Sequence, residues 1–159
     1  MPVKALSVPF SLKTEYLDSS SNCLHSEVVK EINRTDSEWR QLLDESRYSV
    51  LRKKGTERAF TGNYLNHKGV GIYACGACGQ DLFSSKAKYD SGSGWPSFYE
   101  PIRPETITEV EDCSLGMIRI EVICSACKSH LGHVFDDGPR ETTGLRYCIN
   151  SVSLDFKEN

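Results

Sequence analysis

Two Cys-x-x-Cys pairs constrain this chain more than any other feature of its sequence. Cys75 and Cys78 form the first pair, and Cys124 and Cys127 form the second. Each pair lies in a turn of small residues that follows an apolar, strand-like segment, so both thiolates of a turn can point at one ion. Two such turns supply a tetrahedral shell, and we predict one Zn²⁺ held by the four cysteines.

The predicted zinc ion has a structural role. Four thiolates fill the tetrahedral shell and leave no position for water or substrate, whereas a catalytic zinc keeps one position open. Because a long segment separates the two pairs, the ion would tie distant parts of the domain together. The alternative is that the pairs are redox couples or buried small residues, but two matched pairs in matched turns favour a metal.

The remaining composition limits the class of protein. Seven cysteines and no apolar leader argue against a secreted disulfide scaffold, so we expect a cytoplasmic protein. The alternative is an organelle, because residues 1–14 contain lysines and serines but no acidic residue. A formal net charge of −3 argues against nucleic-acid binding. The absence of an apolar run of about 20 residues argues against a membrane protein.

The chain is organised as a tail and one domain. Residues 1–34 show no sustained periodicity, so we predict a mobile tail followed by a single domain over residues 35–159. Thr35 and Glu38 are spaced as in a capping box, which predicts a short helix. Its apolar stripe is Trp39, Leu42 and Leu43, and a second short helix contains Tyr48, Val50 and Leu51. The second helix is expected to stop at Gly55 in a left-handed conformation.

From residue 56 onward the pattern changes to a mainly β domain. Short segments rich in β-branched and aromatic residues occur at 71–74, 82–83, 106–110, 117–123 and 145–156. In the fourth segment the apolar residues Ile118, Ile120 and Val122 alternate with Arg119 and Glu121. This alternation predicts a strand with one buried face and one solvated face.

Cys148 is the candidate nucleophile. In a strand, Arg146 and Asn150 share its face, so a cation would lie beside an accessible thiol and favour the thiolate. The apolar positions that follow have the opposite parity, which predicts a bulge or a change of face near Asn150 or Ser151. The alternative is a buried cysteine that acts as a small hydrophobic residue, but its polar neighbours favour a reactive thiol.

Three more residues are candidates for the site. His130 and His133 follow the second cysteine turn, and because the cysteines complete the metal shell, an acid or substrate-orienting role is favoured over metal binding. Trp95 follows a flexible Ser-Gly-Ser-Gly turn, where its indole could form the wall of a pocket. Ordinary packing in the core is the alternative for all three side chains.

These segments together resemble the methionine-R-sulfoxide reductases, the B type of methionine sulfoxide reductase. The matching stretches, besides the two cysteine turns, are 54–60, 82–85, 88–98, 129–135, 137–139 and 146–151. The resemblance implies a mainly β (α+β) fold of two antiparallel sheets with short N-terminal helices and one structural Zn²⁺. It also implies reduction of methionine-R-sulfoxide, in oxidised proteins and peptides or as the free amino acid.

The resemblance also implies roles for individual residues. Cys148 would attack the sulfoxide sulfur and end as a sulfenic acid, while His133 protonates the departing oxygen. The supporting residues would be His130 and Asn150, which orient or bind the substrate, Arg146, which favours the thiolate, and Trp95 and Phe135, which enclose the methyl group.

One position departs from the family pattern. Many members have a second, resolving cysteine where this chain has Ser93. The sulfenic acid must then be reduced by thioredoxin, a glutaredoxin-type protein or a small thiol, or be captured by Cys23 or Cys113. We expect a monomer whose partners are sulfoxide-containing proteins and such a thiol reductant.

Two other classes of protein compete with this interpretation. A zinc-held interaction module without catalysis explains the four cysteines but gives Cys148 and the histidines no role. A Cys-His hydrolase or transferase would use the same thiol and imidazole, but the sequence contains no recognisable oxyanion arrangement.

Overall fold

The computed structural model describes residues 28–159. Two short helices precede nine strands. The helices are α1 (Asp36–Leu42) and α2 (Glu45–Leu51), and the strands are β1 (Gly71–Cys75), β2 (Asp81–Ser84), β3 (Lys88–Tyr89), β4 (Ser97–Phe98), β5 (Ile107–Asp112), β6 (Arg119–Cys124), β7 (His130–Phe135), β8 (Arg146–Ile149) and β9 (Leu154–Glu158). Short 3-10 helices occur at Ser85–Ala87, Pro104–Thr106, Ser114–Gly116 and Ser151–Ser153.

The strands form two antiparallel sheets. A three-stranded sheet has the order β2-β1-β9, and a six-stranded sheet has the order β3-β4-β8-β7-β6-β5. Phe83 of the first sheet stacks on Phe98 of the second, with ring centroids 4.5 Å apart, and both rings are fully buried. The sheets therefore share one core. The prediction of a mainly β fold with two antiparallel sheets and short N-terminal helices is confirmed.

The helices start where the sequence predicts but differ in detail. Thr35 and Glu38 form the predicted capping box. Leu42 was predicted to pack against the domain, but it is 57% exposed. The reason is that α1 ends at this residue. The left-handed residue after α2 is Lys54, with a φ of 57°, and not Gly55 as predicted. Gly55 is instead required by space, since a Cβ there would lie 2.9 Å from the Ser49 carbonyl oxygen.

The C-terminal apolar segment contains two strands and not one. β8 belongs to the six-stranded sheet and β9 to the three-stranded sheet, and the 3-10 helix Ser151–Ser153 connects them. The predicted irregularity near Asn150 or Ser151 is therefore present. It is a change of sheet, because Tyr147 and Leu154 then both face the shared core.

The described part of the predicted tail contacts the domain. Val29 and Ile32 pack against the core, and the Ile32 amide donates to the Ala126 carbonyl at 2.7 Å. Packed structure thus begins before residue 35, where we placed the boundary. Between residues 28 and 159, no helix has the length and apolar character needed to cross a membrane.

Candidate active site and metal centre

The two cysteine turns have the same backbone geometry. Cys75 ends β1 and accepts from the Gly79 amide, and Cys124 ends β6 and accepts from the Lys128 amide, both at 2.8 Å. Gly79 and Lys128 occupy equivalent positions with φ values of 80° and 61°. Each turn therefore closes in the left-handed region, which favours glycine.

The four thiols converge on one point. Their sulfurs all lie within 4.8 Å of one another, with 3.6 Å between Cys75 and Cys127 and 3.7 Å between Cys78 and Cys124. A tetrahedron with metal–sulfur bonds of about 2.3 Å has edges of about 3.8 Å, so the cluster fits one tetrahedral metal ion. Because Cys75 belongs to one sheet and Cys124 to the other, such an ion would join the two sheets.

Strand register aligns the residues of the candidate active site. Ser97 of β4 pairs with Cys148 of β8, and Cys148 pairs with His133 of β7. His133 in turn pairs with Glu121 of β6. Side chains directly opposite each other in antiparallel strands have Cβ atoms about 4.5–5.5 Å apart. The thiol of Cys148 therefore has the imidazole of His133 as its cross-strand neighbour.

A bulge brings the second histidine to the same region. Gly132 pairs with Val122 and His130 pairs with Ile123, so Leu131 is an extra residue in β7. The extra residue inverts the side-chain parity, and His130 therefore shares the face of His133. The two rings lie 5.5 Å apart.

His133 is fixed by a carboxylate. Its Nε2 lies 2.7 Å from Oδ2 of Asp112, at the end of β5, and Arg119 donates to the same oxygen at 3.3 Å. The hydrogen bond from His133, together with those from Ser114, holds the pKa of Asp112 well below its usual range. Asp112 is therefore an ionised acceptor, and Nε2 of His133 carries the proton in this hydrogen bond.

His130 lies deeper and is paired with Glu121. Both side chains are only 3% exposed, and Nδ1 lies 2.8 Å from the Glu121 carboxylate, which also binds the Lys54 ammonium at 3.0 Å. Burial lowers the pKa of His130 despite the opposing hydrogen bond from Glu121. A carboxylate only accepts, so Nδ1 carries the proton of the neutral ring.

The candidate residues surround a small cavity. It has a volume of about 100 Å³ and is lined by Thr56, Trp95, Arg119, Gly132, His133, Phe135, Cys148 and Asn150. Five residues predicted for the site thus line one space: Trp95, His133, Phe135, Cys148 and Asn150. His130 and Arg146 do not line the cavity, but each packs against a residue that does. A larger cleft of about 330 Å³ beside His67 contains none of the predicted site residues.

Arg146 supports the cavity from outside. Its guanidinium pairs with Asp137 at 2.8 Å and lies over the Phe135 ring, 4.4 Å from the centroid. We expected this cation to favour the Cys148 thiolate. Burial instead raises the pKa of the Cys148 thiol, and Ser93 and Arg146 offset only part of that increase. Arg146 therefore acts on the thiol in the expected direction, but burial outweighs its effect on the pKa of Cys148.

A chain of hydroxyl groups reaches the thiol. Ser97 and Ser91 have their oxygens 2.7 Å apart, and Ser91 donates to Ser93 at 2.8 Å. The Ser93 oxygen lies 3.9 Å from the sulfur of Cys148. Ser93 therefore offers a donor to a thiolate at this position.

Glu57 holds the other side of the cavity. Its carbonyl accepts from Nε1 of Trp95 at 3.1 Å, which fixes the indole, and its amide donates to Oδ1 of Asn150 at 3.0 Å. The Glu57 carboxylate accepts from the backbone amides of Ser151 at 2.6 Å and Val152 at 3.2 Å. Asn150 also donates to the Leu131 carbonyl at 2.9 Å. Asn150 therefore joins the Glu57 segment to β7, and it lines the cavity with its amide already bonded.

Sequence reasoning missed several residues of this region. They are Lys54, Glu57, Asp112, Arg119 and Glu121. The alternation along β6 indicated Arg119 and Glu121 as a polar face, but we predicted that this face is solvated. Glu121 is buried because the face covers the candidate site, while Ile118 of the predicted buried face is 79% exposed at the strand end.

The other cysteines have different positions. Cys113 follows Asp112, is exposed, and donates to the Glu111 carboxylate at 3.3 Å. That hydrogen bond raises the pKa of the Cys113 thiol. Cys23 lies outside the described residues.

Comparison with known proteins adds independent information. Residues 43–158 match the SelR domain. Three proteins with the name peptide methionine sulfoxide reductase MsrB are similar over most of their length. They come from Acinetobacter baumannii strain AYE (56% identity, 79% of this chain and 90% of the relative), Thiobacillus denitrificans (58%, 77% and 92%) and Methanosarcina barkeri (56%, 80% and 89%).

Proposed function

This chain belongs to the SelR domain family and is a peptide-methionine (R)-S-oxide reductase of the MsrB type, and we propose how its own residues carry out the reaction. The observation that carries the proposal is the pairing of Cys148 with His133 across β8 and β7, with both side chains lining one cavity. The aromatic rings of Trp95 and Phe135 line the same cavity and would hold the methyl group of the substrate.

In the first step, the thiolate of Cys148 attacks the sulfur of the sulfoxide. The methionine sulfur gains two electrons and becomes a thioether, while the Cys148 sulfur loses two electrons and takes the oxygen as a sulfenic acid. Because burial raises the pKa of Cys148, the thiolate needs local donors. Ser93, at 3.9 Å, is placed to be one of them.

The sulfoxide oxygen needs a proton as its bond to sulfur breaks. His133 is the proposed acid, because it is the cross-strand neighbour of Cys148 and lines the cavity. Asp112 occupies Nε2, so Nδ1 is the ring nitrogen that is left to give a proton to the substrate. The buried pair of His130 and Glu121 packs beside the His133 ring and supports its position.

Reduction of the sulfenic acid completes the cycle. One external thiol forms a mixed disulfide with Cys148 and releases water, and a second thiol then restores the cysteine. We propose a thioredoxin- or glutaredoxin-type protein as the donor, because the Cys113 thiolate is disfavoured beside Glu111. A disulfide between Cys23 and Cys148 after one turnover, found by mass spectrometry, would contradict this step.

The proposed metal is zinc in a structural role. Cys75, Cys78, Cys124 and Cys127 would hold it, and their separation fits a metal–sulfur tetrahedron. When bound, the ion supplies a crosslink between the two sheets and takes no part in the chemistry. A monomer in the cytoplasm remains our proposal for the state and compartment of the protein.

The test of this function uses the separate R and S epimers of one methionine sulfoxide peptide with dithiothreitol as the reductant. The wild type should reduce the R epimer alone, and Cys148→Ser should reduce neither. Cys113→Ser is the matched control, since it makes the same change at an exposed cysteine and should keep the single-turnover rate. Equal rates on both epimers, or full activity of Cys148→Ser, would refute the proposal.

A further inference from the structure

A second cavity also borders Trp95. It has a volume of about 230 Å³, and Phe60, Leu65, Tyr89 and Trp95 contribute side chains to its walls. We call these four residues the aromatic groove. Trp95 also lines the catalytic cavity, so the two spaces share one wall. The mechanism proposed above uses none of Phe60, Leu65 and Tyr89.

Phe60 is held in the groove at an energetic cost. The residue is 69% exposed and its φ is 65°, a left-handed conformation that costs a residue with a side chain about 1–3 kcal/mol. The Phe60 amide donates to the Gly94 carbonyl at 2.8 Å, which ties this segment to the turn before Trp95. A Cβ at Gly94 would lie only 3.0 Å from the Phe60 ring. The surroundings therefore keep a large apolar ring at the surface beside the catalytic cavity.

From this geometry we propose that the aromatic groove binds an apolar side chain of the substrate polypeptide, next to the methionine sulfoxide in sequence. The inference rests on the proposed function, because it requires the sulfoxide to enter the catalytic cavity. Successive residues of an extended chain are spaced by about 3.3–3.6 Å, so the residue next to the sulfoxide can reach from the catalytic cavity to the groove.

The surroundings of the groove favour an uncharged occupant. Asp90 lines its edge but is paired with the Lys68 ammonium at 3.1 Å. The charges of Asp90 and Lys68 thus offset each other. Asn66 and Ser91 also line the groove, and its apolar surface is provided by Phe60, Leu65 and Trp95. Contact with this apolar surface favours an aliphatic or aromatic neighbour over a small polar one.

The experiment compares three substrates in single turnovers without a reductant, which excludes any effect on a reductant protein. They are N-acetyl-methionine-R-sulfoxide, a pentapeptide with leucine on both sides of the sulfoxide, and the same peptide with serine there. The wild type should react with the leucine peptide about 3- to 10-fold faster than with the serine peptide at low concentration. Phe60→Gly should reduce this ratio to below about twofold and leave the acetylated amino acid unchanged.

Two variants distinguish an effect of the aromatic groove on substrate preference from a general effect of substitution. Phe60→Asn also tolerates a left-handed backbone and should behave like Phe60→Gly. Leu115→Gly is the matched control, because Leu115 is 80% exposed with a φ of 56°, and it should keep the wild-type ratio.

Three results would overturn the inference. The first is an equal loss of single-turnover rate on all three substrates in Phe60→Gly. The second is an unchanged ratio of the leucine-peptide rate to the serine-peptide rate in that variant. The third is a wild type that reacts equally fast with the two peptides. If the wild type reduces none of the substrates, or Cys148→Ser reduces them all, the proposed function itself fails.

Discussion

Glu57→Gln tests whether one carboxylate holds the wall of the catalytic cavity in place. The side chain accepts from two consecutive backbone amides, Ser151 at 2.6 Å and Val152 at 3.2 Å, where the chain leaves β8. The backbone of Glu57 also fixes Trp95 and Asn150. A glutamine keeps one acceptor oxygen, but its amino group would face the second backbone N–H. The substitution therefore removes a charged acceptor and leaves a donor unpaired.

The expected loss of stability follows from these contacts. A hydrogen bond to a charged group contributes about 1.5–3 kcal/mol, and an unsatisfied donor away from water costs about 1–3 kcal/mol. Because Glu57 is only half-buried, we take the lower part of the combined range and expect a loss of about 3 kcal/mol. With a urea m-value of about 2 kcal/mol/M, the unfolding midpoint should fall by about 1.5 M.

The assay is urea unfolding of zinc-loaded protein, followed by tryptophan fluorescence. Glu38→Gln is the matched control, since Glu38 also accepts from a backbone amide, that of Thr35 at 2.6 Å, but at an exposed helix end. Its loss should be clearly smaller than that of Glu57→Gln, because its hydrogen bond lies in solvent. A loss below about 1 kcal/mol for Glu57→Gln, or equal losses in the two variants, would refute the reasoning.

Three further predictions concern the metal centre and the nucleophile. Lys128→Gly should raise the free energy of unfolding by about 0.5–1 kcal/mol, because Lys128 has a φ of 61° where the equivalent turn has Gly79; a loss in urea unfolding would contradict this. Removal of the metal with a chelator should unfold the domain and abolish activity together, whereas an unchanged circular dichroism melting curve without metal would argue against a structural ion. Because burial raises the pKa of Cys148 and Ser93 opposes that shift, the midpoint of the pH dependence of Cys148 alkylation should lie above that of a free thiol, about 8.5. Ser93→Ala should move this midpoint higher, and an unmoved midpoint would exclude the Ser93 contact.

Much of the local architecture was readable from the sequence. The capping box at Thr35, the break near Asn150 and the two cysteine turns each depend on residues whose roles show within a short stretch of chain. The site motifs, taken together, also indicated the family. Five of the residues so predicted line one cavity.

The errors in the prediction occurred where the outcome depends on distant contacts. Glu121 was assigned to a solvated face, yet it is 3% exposed because His130 and Lys54 come to it from other parts of the chain. Arg146 lowers the pKa of Cys148, but burial of the thiol outweighs this effect and the net shift is upward. Neither effect is visible in the spacing of residues along a strand.

The sequence by itself determined the residue types of the site and the family, since thiols, imidazoles and turn residues have the same chemistry wherever the chain places them. Tertiary structure alone decided which side chains meet. Strand register put His133 beside Cys148, and the change of sheet after β8 brought Glu57 against the backbone of Ser151. Cross-strand pairing and burial involve residues far apart in the chain, which is why local pattern could not supply them.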